Sequence, residues 1–489
     1  MAGWLAGSWP LLLLVAAGAT LRLSTLSLQS LWYDEAFTAA HVFGGSLSAT
    51  LSQIPHTENT PPLWYVLEWA VIQVGGDGAF ALRLLSALAG IALIGVAWAI
   101  GAELAGRRAA ILAAAIATVS PLFVWYSQEA RAYSLYTLMC ALAMLCFLRA
   151  EREPGGRRLA AFAIASALAL LTHYFAVFLV VPMALWLARR KAWRVPALGA
   201  LGAIGLTGAA LLPLALTQGG RGAEWIGNLT LLSRLEAIPQ YYLTGYSGAP
   251  LGRGVELLVA LPLLAGIALG LWRVLDPLHT DRRSVAGATL SAALLACGVG
   301  IPLLLVGFGA DYLDPRNVIG AMVPATACVA VLVAAPRTGR AGAVLGALSV
   351  LALLAVTVDV NLSPRLQRGD WSGVARVVRG DSAGLPAGER AVVSVHLGTA
   401  PLEYYDRGLR GVPASRSLAL REIYEVGYAP LSRDAGTPPA AGFALVSRRE
   451  VHGLYVFTFR SAVHRIVSAA ALISHPFTLD QGLPAVLAG

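Results

Sequence analysis

The chain has 489 residues, 57% of them hydrophobic and only 13% charged, with mean hydropathy +0.68. A soluble domain carries roughly 25% charged residues, so this composition excludes a soluble enzyme and implies a polytopic membrane protein. The net charge of +9 comes from basic residues gathered in short loops between apolar runs, a pattern of membrane topology that gives no reason to expect a nucleic-acid partner.

A membrane-spanning helix needs about 20 mostly apolar residues. Such runs occur at residues 8–28, 81–104, 109–126, 133–150, 159–172, 174–188, 196–216, 254–272, 285–308, 317–335 and 341–359, which predicts roughly eleven spans. The N-terminus has no basic region ahead of the first run, so that run reads as a retained helix. Cys140, Cys146, Cys297 and Cys328 all fall in apolar runs, without a C-x-x-C or a Cys/His ligand pattern, so neither a disulfide framework nor a zinc site is indicated.

The loops are of two alternating kinds. Basic loops hold Arg107-Arg108, Arg149 to Arg158, Arg189-Arg190-Lys191, Arg273 with Arg282-Arg283, and Arg337 with Arg340. The first loop of the other kind, residues 29–80, has no Lys or Arg before its end. The positive-inside rule then places the basic loops in the cytoplasm, with the N-terminus inside and the C-terminal segment outside. This predicts a protein of the cytoplasmic (inner) membrane, residues 1–360 forming an all-α membrane domain. From about Pro364 the pattern changes: Asp370 to Val378 has helical spacing, while Arg390 to Val395 and Leu454 to Phe459 read as strands. Residues 361–489 are therefore expected to form a small extracytoplasmic α/β domain.

With that topology the polar clusters share the outer face. The first loop carries Asp34 and Glu35 in Leu31-Trp32-Tyr33-Asp34-Glu35-Ala36, then His56-Thr57-Glu58 and Pro61-Pro62-Leu63-Trp64-Tyr65, where the prolines start a helix running to about Val74. The second holds Tyr126-Ser127-Gln128-Glu129-Ala130-Arg131-Ala132-Tyr133, the third His173-Tyr174, the fourth Arg221, Glu224 and Trp225, and the fifth Asp311-Tyr312-Leu313-Asp314-Pro315-Arg316-Asn317. Each element has a plainer reading. Asp34 could cap a helix that begins at Glu35, Arg131 could pair with Glu129 or reach lipid phosphates, His173 could be an interfacial histidine, and Arg316 a flanking charge. Together they suit a donor whose lipid tail lies in the bilayer with its phosphate at the interface. Arginine matches phosphate in charge and geometry, and a carboxylate base contributes ~10²–10⁴-fold in rate. If phosphate is the leaving group, no general acid is needed.

Five motifs, Trp32-Tyr33-Asp34-Glu35-Ala36, Pro61-Pro62-Leu63-Trp64-Tyr65, Ala81-Leu82-Arg83-Leu84, Tyr126 to Tyr133 and Pro315-Arg316-Asn317, resemble the membrane glycosyltransferases of the C-type fold, and more closely the bacterial protein O-mannosyltransferases and the aminoarabinose transferases of lipid A. The resemblance runs through about residue 190 and resumes at Asp311 to Pro324 and near Asp370-Trp371. It implies transfer of one sugar, with inversion, from a polyprenyl-phosphate donor to a hydroxyl of a protein, lipid or cell-wall glycan. By the resemblance Asp34 is the catalytic base, Arg131 and Arg316 contact the donor phosphate, and Glu129 orders the site. Glu35, His56, Glu58, Gln128, Tyr133, His173 and Tyr174 complete the expected substrate-binding set. The family's last motif commonly reads Arg-Tyr, whereas Arg316 is followed here by Asn317. No cofactor and no metal ligand is assigned, and a divalent ion stays open. A transporter of lipid-linked sugars and a ligase or polymerase using diphosphate donors are the alternatives.

Overall fold

A computed structural model describes residues 2–43, 45–153, 155–189, 194–219, 224–244, 251–274, 281–384, 386, 388–479 and 484–489. The expectations for Arg190, Lys191 and Arg221 lie outside these residues. Among the described residues the chain opens with α1 (Ala2–Leu23), α2 (Tyr33–Val42), α3 (Leu47–Thr57), α4 (Leu63–Gly75) and α5 (Ala79–Ala105). Then come α6 (Arg107–Val119), α7 (Pro121–Ser127), α8 (Tyr133–Arg152), α9 (Gly156–Thr172), α10 (Val177–Ala188) and α11 (Arg194–Gln218). Next are α12 (Glu224–Gly227), α13 (Leu231–Thr244), α14 (Arg253–Val274), α15 (Arg282–Val306), α16 (Met322–Val333) and α17 (Gly339–Leu362). The rest holds α18 (Trp371–Asp381), β1 (Arg390–Ser394), α19 (Thr399–Tyr405), β2 (Arg410–Val412), β3 (Ser417–Tyr428), β4 (Ala444–Val451), β5 (Leu454–Ser468), α20 (Ala469–Ser474) and β6 (Ala485–Ala488).

These elements form two compact units. One comprises Met1–Leu26 and Gly44–Leu362; the other joins Ser27–Phe43 to Ser363–Gly489. The short segment carrying Asp34 and Glu35 thus groups with the C-terminal part of the chain and not with the helices that flank it in sequence.

The first unit is helical. Six of its helices, α5, α8, α11, α14, α15 and α17, are long and apolar enough to cross a membrane, and the bent pair α6/α7 makes seven if counted as one span. Among the described residues two of the eleven expected runs are shorter, with apolar helical stretches at Tyr174–Ala188 and Ile319–Val333, and the helix of the first run, α1, ends at Leu23 and not at residue 28. The run 109–126, expected as one span, is two helices bent by 54°. Proline is the reason. Pro121 has no N–H to donate to Ala117, so the ladder stops, and the Ser120 hydroxyl caps the new helix at Phe123 N (3.4 Å). The helix expected to follow Pro61-Pro62 is α4, starting at Leu63.

The second unit is α/β. Its sheet runs β2-β6-β1-β3-β5-β4, with β1 and β3 parallel and the other pairs antiparallel. Alternation along the strands fills two cores: Val392, Tyr424, Val426 and Val456 pack with Trp371, Val374 and Val378 of α18 on one face, and Val393, Ile423, Phe457 and Phe459 pack with Leu472 and Phe477 on the other. A two-residue turn, His452-Gly453, with positive φ at both residues (41° and 81°), joins β4 to β5 in the twist-matched hairpin form.

Candidate active site

In the helical unit the chemistry gathers around Arg131. Its Nη1 lies 3.0 Å from Glu58 Oε2 and 3.4 Å from the Tyr65 hydroxyl. The side chains of Arg131 and Glu58 are 13% and 3% exposed, so the pair is largely withdrawn from water. Glu58 is placed by the end of α3, and Tyr65 by the first turn of α4 that the two prolines start. Backbone bonds fix the loop: Arg131 N–H donates to Glu129 O (2.8 Å), and the Ser86 hydroxyl donates to Arg131 O (3.2 Å). Burial pushes the Tyr65 phenol well above its ordinary value, with the Arg131 charge opposing it, so the hydroxyl keeps its proton.

His173, at the C-terminal end of α9, is buried against this cluster. Its ring stacks on Tyr136 (centroids 4.5 Å, planes at 20°) and tilts toward Tyr133 at 6.0 Å. Phe175 N–H donates to His173 Nδ1 (3.3 Å). Burial pushes the imidazole down to about 3, and the guanidinium charges of Arg131 and Arg316 act in the same direction. His173 is therefore neutral, and it lies within electrostatic reach of both arginines. Tyr174 ties the neighbourhood together from the other side. Its hydroxyl donates to Gln218 Oε1 (2.7 Å), and Gln218 Nε2 donates to Ile54 O and Thr60 O (3.2 and 3.3 Å).

Arg316 sits on the fifth loop, its Nε 3.7 Å from Asp314 Oδ1 and its guanidinium 4.6 Å above the Trp225 ring. α13 holds that loop. Arg234 grips Asp311 with both terminal nitrogens (2.5 and 2.8 Å) and donates to Leu313 O (3.1 Å), while the Tyr242 hydroxyl donates to Val318 O (2.6 Å). The hydrogen bond from Arg234 holds the Asp311 carboxyl below its ordinary value. Burial raises Asp314, with Arg316 opposing it.

In the α/β unit the two acids of the first loop take different positions. α2 begins at Tyr33, so Asp34 lies inside the first turn and is not the N-cap. It is partly exposed, whereas Glu35 is fully buried. Glu35 Oε2 accepts from Trp32 N–H (3.4 Å) and lies 3.8 Å from Arg368 Nη1. The entry to α2 is pinned by the Ser30 hydroxyl on Asp370 Oδ1 (2.7 Å), by Leu31 N–H on the Tyr405 hydroxyl (2.8 Å), and by Tyr33 Oη with His396 Nε2 (3.0 Å). Burial alone would raise Asp370, but hydrogen bonds from Ser30, Gly373 N–H and Ser372 bring it below its ordinary value.

The expected residues thus fall into groups. Glu58, Arg131, Tyr133, His173 and Arg316 come together in the helical unit, with Tyr174 beside them. Glu129 is buried in the Arg131 loop, and His56 is exposed on the last turn of α3. Gln128 turns its amide to α1, donating to Leu21 O, Arg22 O and Thr25 Oγ1 (3.1, 3.1 and 2.7 Å). Asp34 and Glu35 belong to the α/β unit. Sequence reasoning named Tyr65 only within the Pro61 to Tyr65 run, with no site role, and missed Gln218, Arg234 and Arg368; the partners of all four are distant in the chain. It also passed over Arg22, a charge inside an apolar run and so a visible signal.

The elements from α4 through most of α11 have a known counterpart. Residues 59–215 match the family described as dolichyl-phosphate-mannose-protein mannosyltransferase. No curated protein matches the sequence. The fold of the chain is similar to that of ArnT from Cupriavidus metallidurans in the apo state, at 12% identity and TM-score 0.56, over 94% of this chain and 98% of that one. ArnT bound to undecaprenyl phosphate matches comparably, at 12% identity and TM-score 0.55, over 92% and 98%. The apo oligosaccharyltransferase of Archaeoglobus fulgidus is similar at 11% identity and TM-score 0.51, over 82% and 64%.

Proposed function

We propose that this chain is an integral-membrane glycosyltransferase that moves a single sugar from a polyprenyl-phosphate donor to an acceptor hydroxyl outside the cytoplasmic membrane, with inversion. One observation carries most weight: the Arg131 guanidinium is held in a largely buried site by Glu58 (3.0 Å) and the Tyr65 hydroxyl (3.4 Å), and Arg316, far away in sequence, comes near enough that both charges reach the buried His173 ring. Two guanidiniums converging beside a histidine that adds no charge suit a phosphate with one or two negative charges. The match of residues 59–215 and the likeness to a protein solved with undecaprenyl phosphate support the same donor class.

In this reading Asp34 takes the proton from the acceptor hydroxyl as its oxygen attacks the anomeric carbon. The bond from that carbon to the phosphate oxygen breaks, and the polyprenyl phosphate leaves with the electron pair. Arg131 and Arg316 stabilise its charge, so no acid is required. Asp34 suits the base because it is partly exposed, whereas the buried Glu35 beside Arg368 acts as support. Glu58 and Tyr65 hold the Arg131 guanidinium in place, which lowers the reorganisation needed on binding. Glu129 lies in the loop of Arg131, Tyr133 opens α8 just after it, and Tyr174 and His56 are the further substrate-binding candidates.

The test is a transfer assay with purified protein, radiolabelled polyprenyl-phosphate sugar and cell-envelope fractions as acceptor. The expected product is a new glycosidic bond of inverted configuration, with polyprenyl phosphate released. Sugar movement across proteoliposomes without a new bond would make the protein a transporter. Use of diphosphate donors alone would make it a ligase or polymerase.

A further inference from the structure

Arg22 lies within the first apolar run, fully buried, and its hydrogen bonds all go to neutral oxygens. Nη2 reaches Ala117 O (2.9 Å), Nη1 reaches Thr118 O (3.0 Å) and Gly18 O (3.2 Å), and Nε reaches Ser127 Oγ (3.1 Å). Ala117 and Thr118 close α6, and Ser127 ends α7. The carbonyl of Ala117 would pair with residue 121 in a continuous helix, but that residue is Pro121, which has no N–H. The Arg22 fork therefore supplies the donors that the break removes, and it fastens both sides of the 54° bend at once.

The contact is reciprocal. Past the end of α1 the carbonyls of Leu21 and Arg22 lose their helical partners, and the Gln128 amide, one residue beyond α7, donates to both. Gly90 of α5 keeps the space open: a Cβ there would stand 1.9 Å from Ser127 Oγ and 2.9 Å from Arg22 Nε. Three residues past Gln128 comes Arg131.

We infer that Arg22 and Gln128 are positioning residues for donor binding: their mutual capping of α1 and the broken α6/α7 span sets where the Arg131 guanidinium stands. The inference rests on the reading of Arg131 as a donor-phosphate ligand. An arginine is needed because a single ammonium cannot reach acceptors on both sides of the bend. Displacement of the loop by about 1 Å is enough to weaken phosphate recognition substantially.

The experiment measures the affinity of detergent-purified full-length protein for polyprenyl phosphate in the wild type and in Arg22→Lys, Arg22→Met, Gly90→Ala and Arg131→Gln. Thermal unfolding and elution profile certify folding, and donor KM and kcat are read in the transfer assay. Folded Arg22→Lys and Gly90→Ala are expected to bind about tenfold more weakly or worse, with donor KM raised in step and kcat at saturating donor within about threefold. Should Arg22→Met not fold, those two variants still decide. Wild-type affinity in folded Arg22→Lys and Gly90→Ala overturns the positioning role, as does a loss only in the amount of folded protein. Wild-type affinity in Arg131→Gln overturns the phosphate reading instead, so the two failures are distinguishable.

Discussion

Arg234→Met offers a stringent check on how the fifth loop is held. Arg234 grips Asp311 through both terminal nitrogens, with its own side chain 5% exposed and that of Asp311 29% exposed. Removing one partner of a buried ion pair costs about 3–5 kcal/mol, because a charge is left unpaired in low dielectric. Fully exposed pairs contribute about 0–1 kcal/mol. Water reaches Asp311, so the loss should fall between, at about 2 kcal/mol, including the bond to Leu313 O. The pH dependence identifies the source. Asp311 titrates below its ordinary value in the folded protein, so the pair's stabilisation is present above the ordinary carboxylate pKa near 3.8 and is lost as pH falls through the folded value. The gap in Tm between wild type and variant should therefore be full at pH 7 and close on acidification below about pH 4. Because the same loop carries Arg316, donor KM should rise about tenfold. A gap that persists unchanged from pH 7 to pH 3 would refute the electrostatic account. An unchanged donor KM in a variant whose Tm had fallen would refute the link to Arg316.

Three further outcomes follow from the buried acids and the histidine. Glu35→Gln removes the fully buried carboxylate 3.8 Å from Arg368 and should cost about 3 kcal/mol in thermal unfolding, whereas Asp34→Asn, on a partly exposed position one residue away, should leave Tm nearly unchanged; equal losses in both would contradict their assigned environments. Burial pushes Glu425, which pairs with His475 at 2.6 Å, up to about 8. A raised folded value means that its stabilising effect is complete below the unfolded pKa near 4.5 and is lost as pH rises through about 8, so Glu425→Gln should gain on wild type in Tm between pH 5 and 9. A difference constant with pH would show that Glu425 ionises freely. Because His173 stays neutral down to about pH 3, affinity for polyprenyl phosphate should show no histidine titration between pH 5 and 8 that His173→Gln abolishes; finding one would mean that the ring is solvated and charged.

Much of the architecture is legible in the sequence because hydropathy and charge are local properties. The apolar runs mark the long helices, and the switch near Pro364 marks the α/β part, where β1 and β5 begin at the expected residues Arg390 and Leu454. The bend inside residues 109–126 was hidden by uniform hydropathy, although Pro121 stood there as its cause. Grouping of residues 27–43 with the C-terminal unit has no local signal at all, since it rests on pairs such as Ser30 with Asp370. The same holds within the site. Arg131 and His173 stand out by residue type, but Glu58 as the partner of Arg131, Gln218 under Tyr174, and Arg234 behind Arg316 are contacts between distant segments. Composition can name such residues but cannot pair them.

The central claim is that Asp34 is the base of a polyprenyl-phosphate-dependent sugar transfer. Its most direct test is single-turnover transfer by Asp34→Asn protein of wild-type Tm and wild-type affinity for polyprenyl phosphate. The account predicts that binding is retained while the transfer rate falls by about 10²-fold or more, the contribution typical of a general base. Transfer at near wild-type rate by that folded, donor-binding variant would contradict it.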